Sequence, residues 1–203
     1  MSKKRNLACL LLGKNKNWFS SWCSVKKDYL FLFQEDVLLF VYLRSEISMV
    51  YRSSLINVRL FRTYKTILLD VVLAENFYVN NNFLFDTLFL YNKFFKKLVC
   101  LSIYFDYNLS NAFYISIRVA KLIEKRIKFR SKIIKLFLKK IKINLSGLYV
   151  QCNGRINNVD MARTDRLYLG SLPLQSMNYF LSYSLTIANT NKGLQSIKVW
   201  VCK

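Results

Sequence analysis

The chain has 203 residues, 53% of them hydrophobic, and a formal net charge of +21. Its wealth of apolar and aromatic residues excludes simple disorder. So large a positive excess argues against a free-standing enzyme and for a partner that supplies negative charge, either nucleic acid or an anionic membrane.

The length suits one large domain or two small ones. Phe, Tyr, Ile, Leu, Asn and Lys are abundant beside a single Pro, five Gly and no His. That usage is typical of drift in an AT-rich genome, for which organelles are the commonest setting.

At the start, Lys3, Lys4 and Arg5 precede an apolar run over 7–12, which imitates a signal peptide. The run is short, no small-residue cleavage site follows, and Lys14 and Lys16 come at once. A soluble protein, made where it works, is expected. Trp18, Phe19 and Trp22 then cluster. Residues 37–43, after Glu35 and Asp36, suit either a helix or a buried strand, and periodicity does not decide between them. None of the apolar runs is long enough to span a bilayer.

Residues 55–61 (LINVRLF) and 66–73 (TILLDVVL) are rich in β-branched and aliphatic side chains and predict two strands. Residues 83–98 have apolar positions at helical spacing, and 99–105 predict a further strand. Between 111 and 142, Ile115, Val119, Leu122, Ile123, Ile127, Ile133, Ile134, Phe137, Leu138 and Ile141 recur at helical spacing. Among them fall Lys121, Lys125, Arg126, Lys128, Arg130, Lys132, Lys135, Lys139, Lys140 and Lys142, with Glu124 the sole acid. One or two amphipathic helices with a continuous basic face are expected, stopped by Gly147. Strands are predicted at 148–152, 167–169, 179–187 and 197–202, which suggests helices packed on one face of a sheet.

Catalytic chemistry finds little support. Without His the commonest general base near neutral pH is missing. Asp160 and Asp165 stand beside Arg163 and Arg166, so local ion pairs account for them. No Gly-rich phosphate loop occurs. Cys9, Cys23, Cys100, Cys152 and Cys202 are odd in number and lack the spacing of a zinc site, so buried or inert thiols in a reducing compartment are expected. No catalytic residue, metal or cofactor is assigned.

The basic helices remain. A charge run is usually only a solvated helix face. Here ten cations meet one acid between Lys121 and Lys142, and the opposite-charge pairs that stabilise an isolated helix are nearly absent. RNA phosphate is the better partner. A basic helix lying on anionic lipid is the rival, but the apolar stripe has following strands to pack on.

Specific sequence elements now join the pattern. Asn153-Gly154-Arg155-Ile156, Met161-Ala162-Arg163-Thr164-Asp165, Gly170-Ser171-Leu172-Pro173-Leu174 and Ile197-Lys198-Val199-Trp200-Val201 follow in that order. They resemble the SGR-L, EIART-E, G-x-x-PL and GVKVW elements of the C-terminal domain of ribosomal protein S-three, with spacings that fit without a gap. The sole proline, Pro173, and Trp200 fall where the family has them. Upstream, Glu124-Lys125-Arg126 and Phe129-Arg130 are similar to the family's ERR-V-x-FRR helix. Leu12-Gly13 with Trp18, Ser20 and Trp22 resembles its opening. Residues 46–107 match only in pattern.

The resemblance implies an α+β protein: an N-terminal extension over 1–45, a KH-like domain of the second topological type over 46–107, and a C-terminal domain over 108–203 of helices packed on a mainly antiparallel sheet. It implies a structural constituent of the small ribosomal subunit. Such a protein binds small-subunit rRNA in the head near the mRNA entrance channel, beside ribosomal proteins S-ten and S-fourteen, with S-four and S-five across the channel. Organelle-specific proteins are further partners to expect at the aromatic-rich centre.

The carry-over is uneven. Where the family has its GxxG loop, this chain has Asn80-Asn81-Asn82-Phe83, whose side chains would hinder close phosphate approach. A KH-like fold without the usual RNA grip is expected. In the family, arginines on the FRR helix line the channel and help unwind mRNA. Arg130 keeps the first, Ser131 replaces the second, and Ile134 replaces a following lysine, with Lys132 and Lys135 next door. Arg155 belongs to the same basic set. Arg163 is left open between an RNA contact and an ion pair with Asp160 or Asp165. Gly154 and Gly170 are assigned to turns and Trp200 to the core. Asn157-Asn158 stand where the family has two glycines, and a preserved turn is expected there. A mitochondrial setting is favoured, with the plastid as the alternative. A peripheral membrane protein and a fragment of an organelle-encoded nuclease or maturase are the rival readings.

Overall fold

The computed structural model describes residues 12–13, 17–51, 55–63, 65–73, 98–105, 111–143, 145–176 and 178–203. The expected loop Asn80, Asn81, Asn82 and Phe83, and the helix expected to begin at Phe83, lie outside these residues. The chain is α+β and divides into two compact units, one spanning Trp18–Tyr107 and the other holding Asn108–Lys203.

The first unit carries a mixed sheet in the order β1-β2-β3-β4, with β1 Ser20–Ser21, β2 Leu55–Arg62, β3 Thr66–Leu73 and β4 Leu98–Phe105. β2 and β3 form an antiparallel hairpin, while β4 runs parallel to β3, Ile67 facing Val99 and Leu69 facing Leu101. Thr63 and Thr66 close the hairpin through their hydroxyls.

Helix α1, Tyr29–Tyr51, settles the ambiguity at residues 37–43. Its Leu39 and Leu43 are buried with Val58, Leu60, Ile67, Leu69, Val71 and Val99 from three strands. The same inner side of α1 buries Glu35 and Asp36, while Leu30, Phe31, Leu38 and Val41 are exposed.

Burial of two acids demands partners. Arg62 at the end of β2 supplies them, donating from Nε to Asp36 at 2.8 Å and from a terminal nitrogen to Glu35 at 2.5 Å. The Trp22 indole donates to the other oxygen of Asp36 at 2.6 Å. Helix, sheet and the segment after β1 are thus tied at one point.

The second unit is a two-layer sandwich of helices on an antiparallel sheet, order β6-β5-β8-β7, with β5 Gly147–Gly154, β6 Arg163–Gly170, β7 Leu181–Thr190 and β8 Gly193–Cys202. Helix α2, Ala112–Glu124, begins at an Asn111 cap whose side-chain oxygen accepts from the Phe113 amide. It buries Ile115, Val119 and Ile123 at the spacing an amphipathic helix requires.

Polar latches fix α2 on β7. The Ser116 and Ser184 hydroxyls meet at 2.9 Å, Thr186 donates to the Ser116 carbonyl, and Glu124 accepts from the Asn189 amide at 3.1 Å. The sole acid of the basic run is therefore a structural acceptor at a sheet edge.

The basic run is two helices, one of the two alternatives the spacing allowed. α2 ends where Arg126 turns left-handed at φ 63, and Phe129, buried, pins the connection. Helix α3, Lys132–Lys142, starts at Ser131, whose hydroxyl accepts from the Ile134 amide.

Gly147, expected to stop these helices, instead opens β5. α3 has already ended at Lys142, and Gly147 is required because a Cβ there would collide with the Ser171 carbonyl. Asn157 adopts φ 56 inside the 3-10 turn Ile156–Asn158, a geometry Asn tolerates. Trp200 is buried in β8, as expected.

Candidate nucleic-acid interface

On α3, Ile134, Leu138 and Ile141 face inward. Lys132, Lys135 and Lys139, spaced three and four apart, are exposed on the opposite side and share one ridge. No acid stands in the first turn of α3, so Lys132 and Lys135 lie at the helix end whose dipole disfavours cations. Among the described residues no ion pair forms on this ridge. The Ser131 cap, two residues after Phe129, sets where it begins, and the buried Ile134 holds its back.

Lys121, Lys125, Arg126 and Lys128 are exposed along α2 and the connection. Arg130 has a side chain 62% exposed and spans to Asp165 on β6 at 3.2 Å. At that exposure the pair contributes little stability but orients the guanidinium. Arg155 is committed more deeply. It donates to the Val159 carbonyl at 3.1 Å and reaches Asp160 at 3.2 Å, bracing the 3-10 turn.

The sequence expectation of Asp160 and Asp165 pairing with Arg163 and Arg166 is corrected here. Among the described residues, Asp165 pairs with Arg130 and Asp160 with Arg155. Pleating accounts for Arg166, which points to the opposite face of β6 from Asp165; Arg163 shares the face of Asp165, but Arg130 is the cation that reaches it. Arg163 is exposed at the first position of β6. Gly154 and Gly170 end β5 and β6 with φ 140 and 79, and Pro173 lies in the segment after β6.

The thiols divide. Cys152 and Cys202 are buried, but Cys23 and Cys100 are exposed, so burial does not cover the whole set. Among the described residues no group of three or more His, Cys, Asp or Glu could hold a metal, and no helix is long and apolar enough to cross a membrane.

Cys152 provides a pH handle. Burial, reinforced by the negative charge of Asp165, pushes its thiol up to about 12. A pKa raised by folding means the folded state favours the neutral thiol. That stability is present below the ordinary thiol range and is lost as pH rises toward 12. Burial raises Tyr149 and Tyr183 as well. The urea midpoint is therefore expected to fall from about pH 9 upward. In Cys152→Ala the fall should begin nearer pH 10, where only the tyrosines contribute. Parallel profiles for the two proteins would refute this.

Fold and ridge together define a basic helix-on-sheet α+β protein. The profile of "Ribosomal protein S3, C-terminal domain" matches residues 119–201, which hold α3, the ridge and all four strands of the second sheet. Over 211 residues the chain is 31% identical to small ribosomal subunit protein uS3 of Carsonella ruddii, covering 100% of this chain and 98% of that one. It is 26% identical over 210 residues to the uS3 of Caldanaerobacter subterraneus subsp. tengcongensis, covering 100% and 92%. With the uS3 of Clostridium tetani it shares 35% identity over 85 residues, 42% of this chain and 38% of that one. The chain belongs to the small ribosomal subunit protein uS3 family, as a divergent member.

Three features of this surface escaped sequence reasoning: the Arg130–Asp165 link, the Glu124 latch and the place, Arg126, at which the basic run divides. The first two join residues 35 and 65 apart, and no local pattern encodes them. The third had a weak signal, since Phe129 interrupts the charges with a residue large enough to anchor a loop.

Proposed function

We propose that this chain is a structural constituent of a small ribosomal subunit, held to small-subunit rRNA by its α2–α3 cations. The observation that carries this reading is an exposed lysine ridge, without acids, on a chain related over its whole length to uS3 proteins. Attachment is phosphate neutralisation by Lys132, Lys135, Lys139 and the connection between the helices, with no base-specific readout.

The first unit is a KH-like domain of the second type. Its order of helix, antiparallel hairpin and a last strand parallel to the second supports this. Arg130 faces the mRNA entrance, beside S-ten and S-fourteen, in a mitochondrial or, alternatively, plastid ribosome. The uS3 resemblance supports that position, and the residue usage supports an organelle.

The test is sedimentation of the tagged protein in an organelle lysate. Comigration with small subunits that collapses to the top of the gradient after RNase is expected. Association with anionic vesicles that survives nuclease would instead favour the peripheral membrane reading and overturn this one.

A further inference from the structure

Helix α1 turns a broad apolar face away from its own sheet. Leu30, Gln34, Val37 and Val41 follow at spacings of four, three and four, which aligns them as one seam along the helix. Phe31 and Leu38 flank the seam on one side and Phe33 on the other. Leu30 is 75% exposed, Phe31 66% and Val41 62%, and Phe33, Val37 and Leu38 are exposed with them. Gln34, also exposed, is the only residue of this face with an amide or a charge.

The helix cannot rotate to hide these residues. Leu39 and Leu43 are packed into the core of the first unit, and Glu35 and Asp36 are held by Arg62 and Trp22. Rotation would expose the first pair and strand the second. At full areas on the order of 150–250 Å² for large apolar side chains, the face and the adjoining Tyr29 expose roughly 700 Å². That exceeds the largest apolar patch of a typical monomer, about 300–600 Å². It approaches the roughly 800 Å² that each partner gives to a standard interface.

We propose that the outer face of α1 docks an amphipathic helix of another protein, one with an apolar stripe and carboxylates at the end that meets Lys26 and Lys27. Charge selects this occupant. Lys26 and Lys27 are exposed in the turn before α1, offset in part by the exposed Asp28. No acid stands in the first turn of the helix, whose N-terminal end is positive. Along the seam itself there is no cation, so a phosphate backbone would find nothing there to neutralise it. A second copy would bring the same lysines and the same net charge of +21, which repels. A helix lying on anionic lipid needs cations along its polar side, and the polar side of α1 faces its own sheet. Gln34, single and central, sets the register, because a partner residue that can hydrogen-bond must stand opposite it.

The residues involved are not those of the RNA-bound reading, so the two can fail separately. The experiment is fluorescence anisotropy of the intact chain with two labelled, stapled helical peptides of about 15 residues, a length at which an unstapled helix is marginal. Both carry a Leu stripe with one central Gln, and they end in either a Glu pair or a Lys pair at the C-terminus. The Glu-ended peptide should bind about fivefold tighter at low salt, and the preference should fade as salt rises. Lys26→Glu with Lys27→Glu should reverse the order. Leu38→Lys with Val41→Lys should weaken both peptides more than tenfold, with circular dichroism unchanged because both side chains are exposed.

Equal affinity for the two peptides, an order that Lys26→Glu/Lys27→Glu leaves unchanged, or wild-type affinity in Leu38→Lys/Val41→Lys would overturn the proposal. A dimer in sedimentation equilibrium that Leu38→Lys/Val41→Lys dissolves assigns the face to a second copy and overturns it. So does a photocrosslinker at position 38 that reaches only rRNA in assembled small subunits, or only lipid with anionic vesicles. A crosslink from position 38 to a protein helix bearing carboxylates at one end supports it. Comigration of Leu38→Lys/Val41→Lys with small subunits leaves the ribosomal reading standing whichever way the peptides fall.

Discussion

Replacing Arg62 with Ala is expected to destabilise the first unit by about 3–5 kcal/mol, the cost of stranding buried charges. Glu35 and Asp36 are both buried, and the Arg62 side chain that serves them is only 4% exposed. Removing the guanidinium deletes three hydrogen bonds and leaves two buried carboxylates without their cation. The loss exceeds what the bonds contribute, because desolvation of the remaining charges is no longer offset.

The same reasoning predicts a rescue. Arg62→Met combined with Glu35→Met and Asp36→Asn should recover most of the stability, since the amide oxygen of Asn still accepts from Trp22 and apolar replacements of a buried ion pair are often neutral. Urea unfolding followed by circular dichroism and tryptophan fluorescence measures both. A single-variant loss below about 1 kcal/mol would place the cluster with surface pairs of little worth.

The second large effect concerns the ridge of α3. If Lys132, Lys135 and Lys139 each neutralise a phosphate, changing all three to Ala should lower RNA affinity about a hundredfold at roughly 0.1 M salt. The slope of log affinity against log salt should fall by about three, one per lysine. The two proteins should then converge as salt approaches about 1 M, because the lost contribution is counterion release. A uniform loss at all salt concentrations would point to damaged folding. An unchanged slope would remove these lysines from the interface. All three are exposed, so α3 should keep its packing through Ile134, Leu138 and Ile141.

Much of this surface was legible before any coordinates. The apolar spacing from Ile115 to Ile141 located both helices because a packed helix repeats its inward residues every three to four positions. The two strands expected at 55–61 and 66–73 were equally plain from their β-branched and aliphatic runs. α1 was not legible. Its inner side carries Glu35 and Asp36 and its outer side carries Leu30, Phe31, Leu38 and Val41, so its hydropathy is close to inverted. Hydrophobic pattern cannot reveal a helix whose buried residues include charges that a distant arginine neutralises.

The first half of β6, residues 163–166, and the end of β7, residues 188–190, were missed for a related reason. Arg163, Thr164 and Asn189 pair in ladders through backbone groups that any residue possesses, with no side-chain signal to mark them.

By itself, then, the sequence determined the basic character, the family, the two helices of the cationic run and the strands with strong β propensity. Each of these is a local property, written in composition or in the spacing of near neighbours. Only the tertiary structure decided that Arg62 answers Glu35 and Asp36, and that Arg130 answers Asp165 across 35 positions. Those relations depend on strand order and register, which bring remote residues within a few ångströms, and a linear pattern holds no record of distance in space.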